Sequence, residues 1–280
     1  MNEDPLVGLA ELDGTVLAAV SAIDRGDVRT LDSLLSAGPS LVAGRFPCGG
    51  GYFHRPYLLW FVAGNPVRLA RLPNNAADVA STIMGFLVRY DVASRNDQID
   101  HTLSLVCSGR VPRESGVQAG LIDVLIDAGG DPDGAMNPAL AHREEAAVRH
   151  LVERGARVTL SVAAATGRTT DLRDAARSAD ASELQAALAV AAIWGQADSV
   201  RALAAHGPDL DAHNPSGLHA HGTALHNAVA AHSLETVRAL IEAGAKSDIR
   251  DTIWDGTALD WAEHLGDREI ARYLRAGPPK

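Results

Sequence analysis

Aromatic residues make up only 4% of this 280-residue chain, and it carries two cysteines, Cys48 and Cys107. Two thiols so far apart do not make a disulfide framework and do not match a metal-ligand or redox spacing. Basic runs are absent and the formal net charge is −10, so polyphosphate and anionic lipid are poor main partners. The longest apolar run, around Leu184 to Trp194, is too short to span a bilayer. Met1 to Gly14 is acidic and lacks the charged-then-apolar pattern of a signal peptide. A reducing, cytoplasmic setting is the expectation. Gly49-Gly50-Gly51 is not followed by the lysine and Ser/Thr of a phosphate-binding loop, and there is no Gly-x-Ser-x-Gly elbow.

What the chain does have is 46% hydrophobic residues, rich in alanine, which suits close packing of helix on helix. It also repeats itself. Val237 to Ala245 matches Val200 to Pro208 and Val148 to Ala156, with looser copies at Leu121 to Gly129 and Leu31 to Gly38. Each reads as a short amphipathic helix stopped by glycine, which enters the left-handed region cheaply. A second phrase precedes the first: Gly222-Thr223-Ala224-Leu225-His226 recurs as Gly256-Thr257-Ala258-Leu259-Asp260. The threonine is placed to cap the helix that follows. The unit is therefore turn, helix, short break at His232 or Gly266, helix, glycine.

These phrases resemble the ankyrin repeat, whose pattern runs Gly-x-Thr-Pro-Leu-His-x-Ala-Ala and ends Leu-Leu-x-x-Gly-Ala. Ala224 and Ala258 stand at the usual proline, and Asp260 at the usual histidine. Upstream, Leu58 to Ala63, Thr102 to Cys107, Pro138 to His142 and Val162 to Thr166 resemble first helices, Asn75 to Val88 a second helix, and Leu12 to Leu35 an N-terminal unit. Phe53-His54-Arg55, Asn74-Asn75-Ala76, Thr102 to Val106 and Gly116-Val117-Gln118 are similar to a group of bacterial ankyrin proteins with irregular N-terminal repeats. The resemblance implies an all-α solenoid of about eight stacked helix-turn-helix units. They form a single domain over 1–280, irregular and loop-rich over 12–183 and well formed over 184–276. Segments 39–56, 64–74, 108–116 and 206–222 are longer than ordinary repeat turns, and long loops in compact arrays often carry function.

In ankyrin proteins the concave side usually binds another protein, and the resemblance puts two variable positions per unit there, just before the break. Here these are Ile193 and Trp194, Ala230 and Ala231, His264 and Leu265, and Ala141 and His142. Trp194 reads either as a binding anchor, since tryptophan is enriched at hot spots, or as packing under the preceding loop. Trp254, with Ile253 beside it, sits in a turn one residue longer than usual, as a finger-tip contact or packed against Leu218. Trp261 and Trp60 read as core or partly buried positions. The proposed partner-binding set is Trp194, Trp254, Ile193, His142, His264 and Leu265.

His213, His219, His221 and His226 crowd one stretch, so a transition-metal site is considered. No cysteine completes a known ligand spacing, and His226 is explained by the resemblance, in which this histidine bonds neighbouring turns. No metal and no cofactor are expected. Cys48 and His54 form a possible nucleophile pair, and Glu144-Glu145 suits the positive end of a helix dipole.

Two functions follow. The first is a scaffold that recognises a partner protein, not nucleic acid or a membrane, and has no catalytic residues. The alternative is an enzyme or small-molecule binder. Its pocket is formed by Tyr52, His54, Arg55, Asp100, His101 and Arg113 from the irregular loops at one end of the groove.

Overall fold

The structure, a computed structural model, describes residues 5–38 and 40–277. The first four residues of the acidic start, and Pro39 at the head of the segment read as 39–56, lie outside the described residues. Contacts divide the chain into two compact units, 1–156 and 157–280. Among the described residues each contains four helix pairs and no strand longer than an isolated bridge.

In the first unit the pairs are α1 (Gly14–Arg25) with α2 (Val28–Ala37), and a 3-10 helix (Leu58–Ala63) with α4 (Ala76–Arg89). Between them lies the one-turn helix α3 (Ser40–Ala43). The third pair is α5 (Arg95–Cys107) and α7 (Gln118–Asp127), and the fourth α8 (Met136–Ala141) and α9 (Glu145–Glu153). The first members stack in the order α1, 3-10 helix, α5, α8, and the second members in the order α2, α4, α7, α9. Two expectations change here. The segment read as a loop over 108–116 contains the short helix α6 (Arg110–Glu114), and α5 begins seven residues before Thr102. The polar start of α5, Arg95-Asn96-Asp97, masks the helical period of its buried Gln98, Ile99 and Thr102. The 3-10 helix is buried along its whole length, so neither helix nor strand periodicity marks it.

The second unit holds α10 (Leu160–Ala165) with α11 (Thr169–Ala176), α12 (Ala181–Ile193) with α13 (Ala197–Ala204), α14 (Ala224–Ala230) with α15 (Leu234–Glu242), and α16 (Ala258–His264) with α17 (Arg268–Ala276). First helices pack on first helices and second on second, around one apolar core that includes Leu188, Leu203, Leu225, Val237 and Leu240. Alanine explains the closeness: Ala187, Ala191, Ala192, Ala228 and Ala262 are fully buried between neighbouring helices. Such a stack is stabilised chiefly by nearest neighbours.

The cap predicted at Thr257 forms. Thr257 Oγ1 accepts from the Asp260 N–H at 3.2 Å, and Asp260 Oδ2 accepts in return from the Thr257 N–H at 2.8 Å. The breaks at His232 and Gly266 have φ of 54° and 72°, the left-handed turn that lets the chain reverse.

Candidate functional site

The turn that opens α16 is built on one carboxylate. Asp251 Oδ1 accepts from the backbone N–H groups of Ile253 at 2.8 Å and Trp254 at 2.7 Å. Its Oδ2 accepts from the Gly256 N–H and from the Trp261 indole N–H, both at 2.9 Å. Asp251 is buried. Burial alone would raise its pKa, but the hydrogen bonds from Trp254, Trp261, Ile253 and Gly256 outweigh that and hold the carboxyl well below the usual carboxylate range. The ionised carboxylate thus shapes a turn of four residues whose two apolar side chains point outward: Ile253 is 61% and Trp254 67% exposed.

Trp254 is not loose. Its ring meets His221 edge-on with centroids 5.3 Å apart and Trp261 at 5.5 Å. His221 in turn stacks on Trp261 at 5.7 Å. The preceding turn is tied in as well, since the Thr252 N–H donates to the His221 carbonyl at 2.8 Å. Trp261 is half-buried against the core, as a first-helix position requires.

His226 links the turns. Its Nδ1 accepts from the Thr223 N–H at 3.2 Å, which leaves Nε2 to carry the proton and donate to the Gly256 carbonyl at 3.1 Å. Burial lowers its pKa, so the neutral ring is the stable form. His213 Nε2 lies 3.0 Å from the Arg250 carbonyl. The crowd of histidines is therefore largely a device for joining turns. Among the described residues no three His, Cys, Asp or Glu side chains gather as a metal site.

The other sequence-predicted contact residues are placed as follows. Trp194 is the half-buried C-cap of α12, and His264 ends α16 with Leu265 as its exposed C-cap. Ile193 corrects the expectation: it is only 5% exposed, the last of a run from Ala187 that is buried all round. His142 is exposed at the C-terminus of α8 in the first unit.

The six polar residues of the alternative pocket do not all meet. His101 Nε2 lies 3.1 Å from the Tyr52 carbonyl, and its ring lies against Trp60 with centroids 3.9 Å apart. Arg45, which the sequence reading missed, covers the Tyr57 ring at 4.4 Å and donates to the Arg55 carbonyl at 3.1 Å. Tyr52 donates its hydroxyl to Asn65 at 2.8 Å, and His54 is exposed. Asp100 and Arg113 are committed elsewhere. Asp100 accepts from the Asp131 N–H at 2.9 Å, and Arg113 pairs with buried Glu144 at 2.6 Å. That pair, besides the helix dipole, accounts for Glu144. Cys48 is buried and its thiol is pushed up by burial, the opposite of what a nucleophile needs. The neighbouring glycines serve the backbone: Gly49 has φ 78°, and a Cβ there would meet the Phe53 carbonyl oxygen at 2.1 Å.

A family model described as ankyrin repeats (3 copies) matches residues 116–251 and again 188–278, together more than half of the chain. The chain belongs to the ankyrin-repeat family. Among curated proteins, this ankyrin-repeat chain is 37% identical over 84 residues to human cyclin-dependent kinase inhibitor 2A, a segment covering 30% of this chain and 51% of that one. It is 38% identical over 84 residues to cyclin-dependent kinase 4 inhibitor B of Bos taurus, covering 30% of this chain and 61% of the relative. The match thus spans about half to three-fifths of these relatives. No helix among the described residues is long and apolar enough to cross a membrane.

Proposed function

We propose that this ankyrin-repeat chain is a protein-binding scaffold whose principal anchor is the Ile253–Trp254 tip. The observation that carries this is the Asp251 carboxylate, which fixes the turn while leaving both apolar side chains exposed. A rigid, pre-shaped aromatic anchor binds well because little freedom is lost on association. Trp194, His264 and Leu265 extend the contact surface in the same unit, with Ile193 as a buried support. His142 holds the equivalent position of its own repeat. The partner is a protein rather than nucleic acid or a membrane, and the setting is cytoplasmic. Likeness of the upstream repeats to bacterial ankyrin proteins, and the unequal regularity of 12–183 and 184–276 within one repeat domain, remain part of this reading.

The diversion of Asp100 and Arg113 to Asp131 and Glu144 favours the scaffold over a pocket enzyme. The relatives' names describe kinase inhibitors, which makes a cyclin-dependent kinase the first partner class to try. Titration of the full chain into purified cyclin-dependent kinase 4 tests that finer reading, and absence of heat or complex removes it. The broader reading is tested by affinity capture from the native host with the full chain and with Trp254→Ala. A protein held by the first and lost by the second supports it, and equal capture by both refutes it.

A further inference from the structure

In the second unit, α11 and α13 lie side by side as the second helices of successive repeats. Between them runs an open groove of about 360 Å³, lined by Arg173, Arg177, Arg201, Ala202, Ala205 and His206. Three guanidinium groups and an imidazole thus share one depression, with no carboxylate among its lining residues, in a chain whose net charge is −10. The sequence hides this, because Arg173 and Arg201 are twenty-eight residues apart and no basic run marks them.

The charges are only partly neutralised from outside the groove. Arg201 is 2.9 Å from Asp198 and 3.7 Å from Glu235, and Arg177 is 3.9 Å from Asp174. Arg173 makes no ion pair among the described residues, and it is exposed. Arg177 is the C-cap of α11, and Arg173 and Arg201 lie in the last turns of α11 and α13, where a cation also complements the helix dipole. The dipole thus favours each of the three guanidinium groups, and Arg173 is the one with no acidic partner among the described residues. Such a concentration of like charge repels itself and is relieved by a bound anion. Guanidinium groups offer paired N–H donors that match the oxygens of a phosphate, and a dianion answers several of them at once.

We propose that this groove is a binding site for a phosphate group, on the second-helix side of the repeats and independent of the Trp254 tip. The phosphate belongs either to a phosphorylated side chain of another protein or to a free small molecule, and the chemistry of recognition is the same for both.

The test uses the full chain, labelled for amide NMR and titrated at low salt with inorganic phosphate and, separately, with a short phosphoserine peptide and its unphosphorylated twin. Saturable shifts confined to residues around 173–177 and 201–206 are expected. The double variant Arg173→Gln/Arg177→Gln should weaken binding at least about tenfold, since each charge-assisted hydrogen bond lost contributes up to about that factor. Its melting temperature should stay nearly unchanged, because both side chains are exposed. Tighter binding of the phosphopeptide than of phosphate assigns the site to a partner's side chain, and equal or weaker binding assigns it to a free phosphate. Shifts scattered over the surface, no shifts at millimolar phosphate, or equal binding by the folded double variant would overturn the proposal.

Discussion

Trp261 donates its indole N–H to Asp251 at 2.9 Å, so a first-helix residue packed on the core holds the carboxylate that shapes the exposed tip. Core and contact surface are joined through one side chain. Replacing Asp251 with alanine should therefore leave the Ile253, Trp254 and Gly256 N–H groups and the Trp261 indole without their acceptor. A loss of roughly 1–3 kcal/mol is expected for such unmet donors. Urea unfolding measures it, and an unchanged midpoint would show that the turn holds without the carboxylate.

Acid should weaken the second unit in two stages. Burial first of all lowers the His226 pKa from its ordinary value of 6.5. The unfolded chain then binds the proton more readily than the folded one. Stability is full above pH 6.5 and falls as pH drops from there towards the folded pKa. The Asp251 carboxyl is shifted below its ordinary 3.8, so its contribution is present above that pH and is lost further down. Thermal melts from pH 8 to pH 3 should show the first decline near pH 6, and His226→Gln should flatten it. A wild-type profile flat down to pH 4 would contradict the neutral, turn-bridging histidine.

Leu240 is fully buried in α15 among the apolar residues of the second unit. Its truncation to alanine should cost roughly 2–5 kcal/mol. Denaturant unfolding followed by circular dichroism is the measurement, and an unaltered midpoint would remove Leu240 from the core.

Much of this was legible in the sequence. The Thr257 cap and the helix–glycine repeats follow from short local phrases, and the turn-joining role of His226 is implied by the resemblance to the ankyrin repeat. The match weakened where tertiary contacts override pattern. The wholly buried 3-10 helix at Leu58–Ala63 has no amphipathic period and is placed only through its resemblance to a first helix, while α6 hides behind Pro112 and Gly109. Ile193 looked like a surface position because its place before the break is variable, yet side-chain direction at a helix end is set by packing. The aromatic contacts of Trp254 with His221 join residues thirty-three apart, and the salt bridge of Arg113 with Glu144 joins residues thirty-one apart. No spacing rule foretells either.

The central claim, that the Asp251-held tip is the contact with a protein partner, is tested most directly by photo-crosslinking. A photoreactive phenylalanine analogue is placed at Trp254, or at Val88 as an exposed control in the first unit, and each full chain is irradiated in lysate of the native host. Loss of the Trp254 ring contacts should cost about 1 kcal/mol, so the chain remains folded. A discrete cross-linked protein from position 254, absent from position 88 and competed away by the unlabelled chain but not by its Trp254→Ala variant, is the result predicted. No adduct at 254, or the same adducts from both positions, would contradict the account.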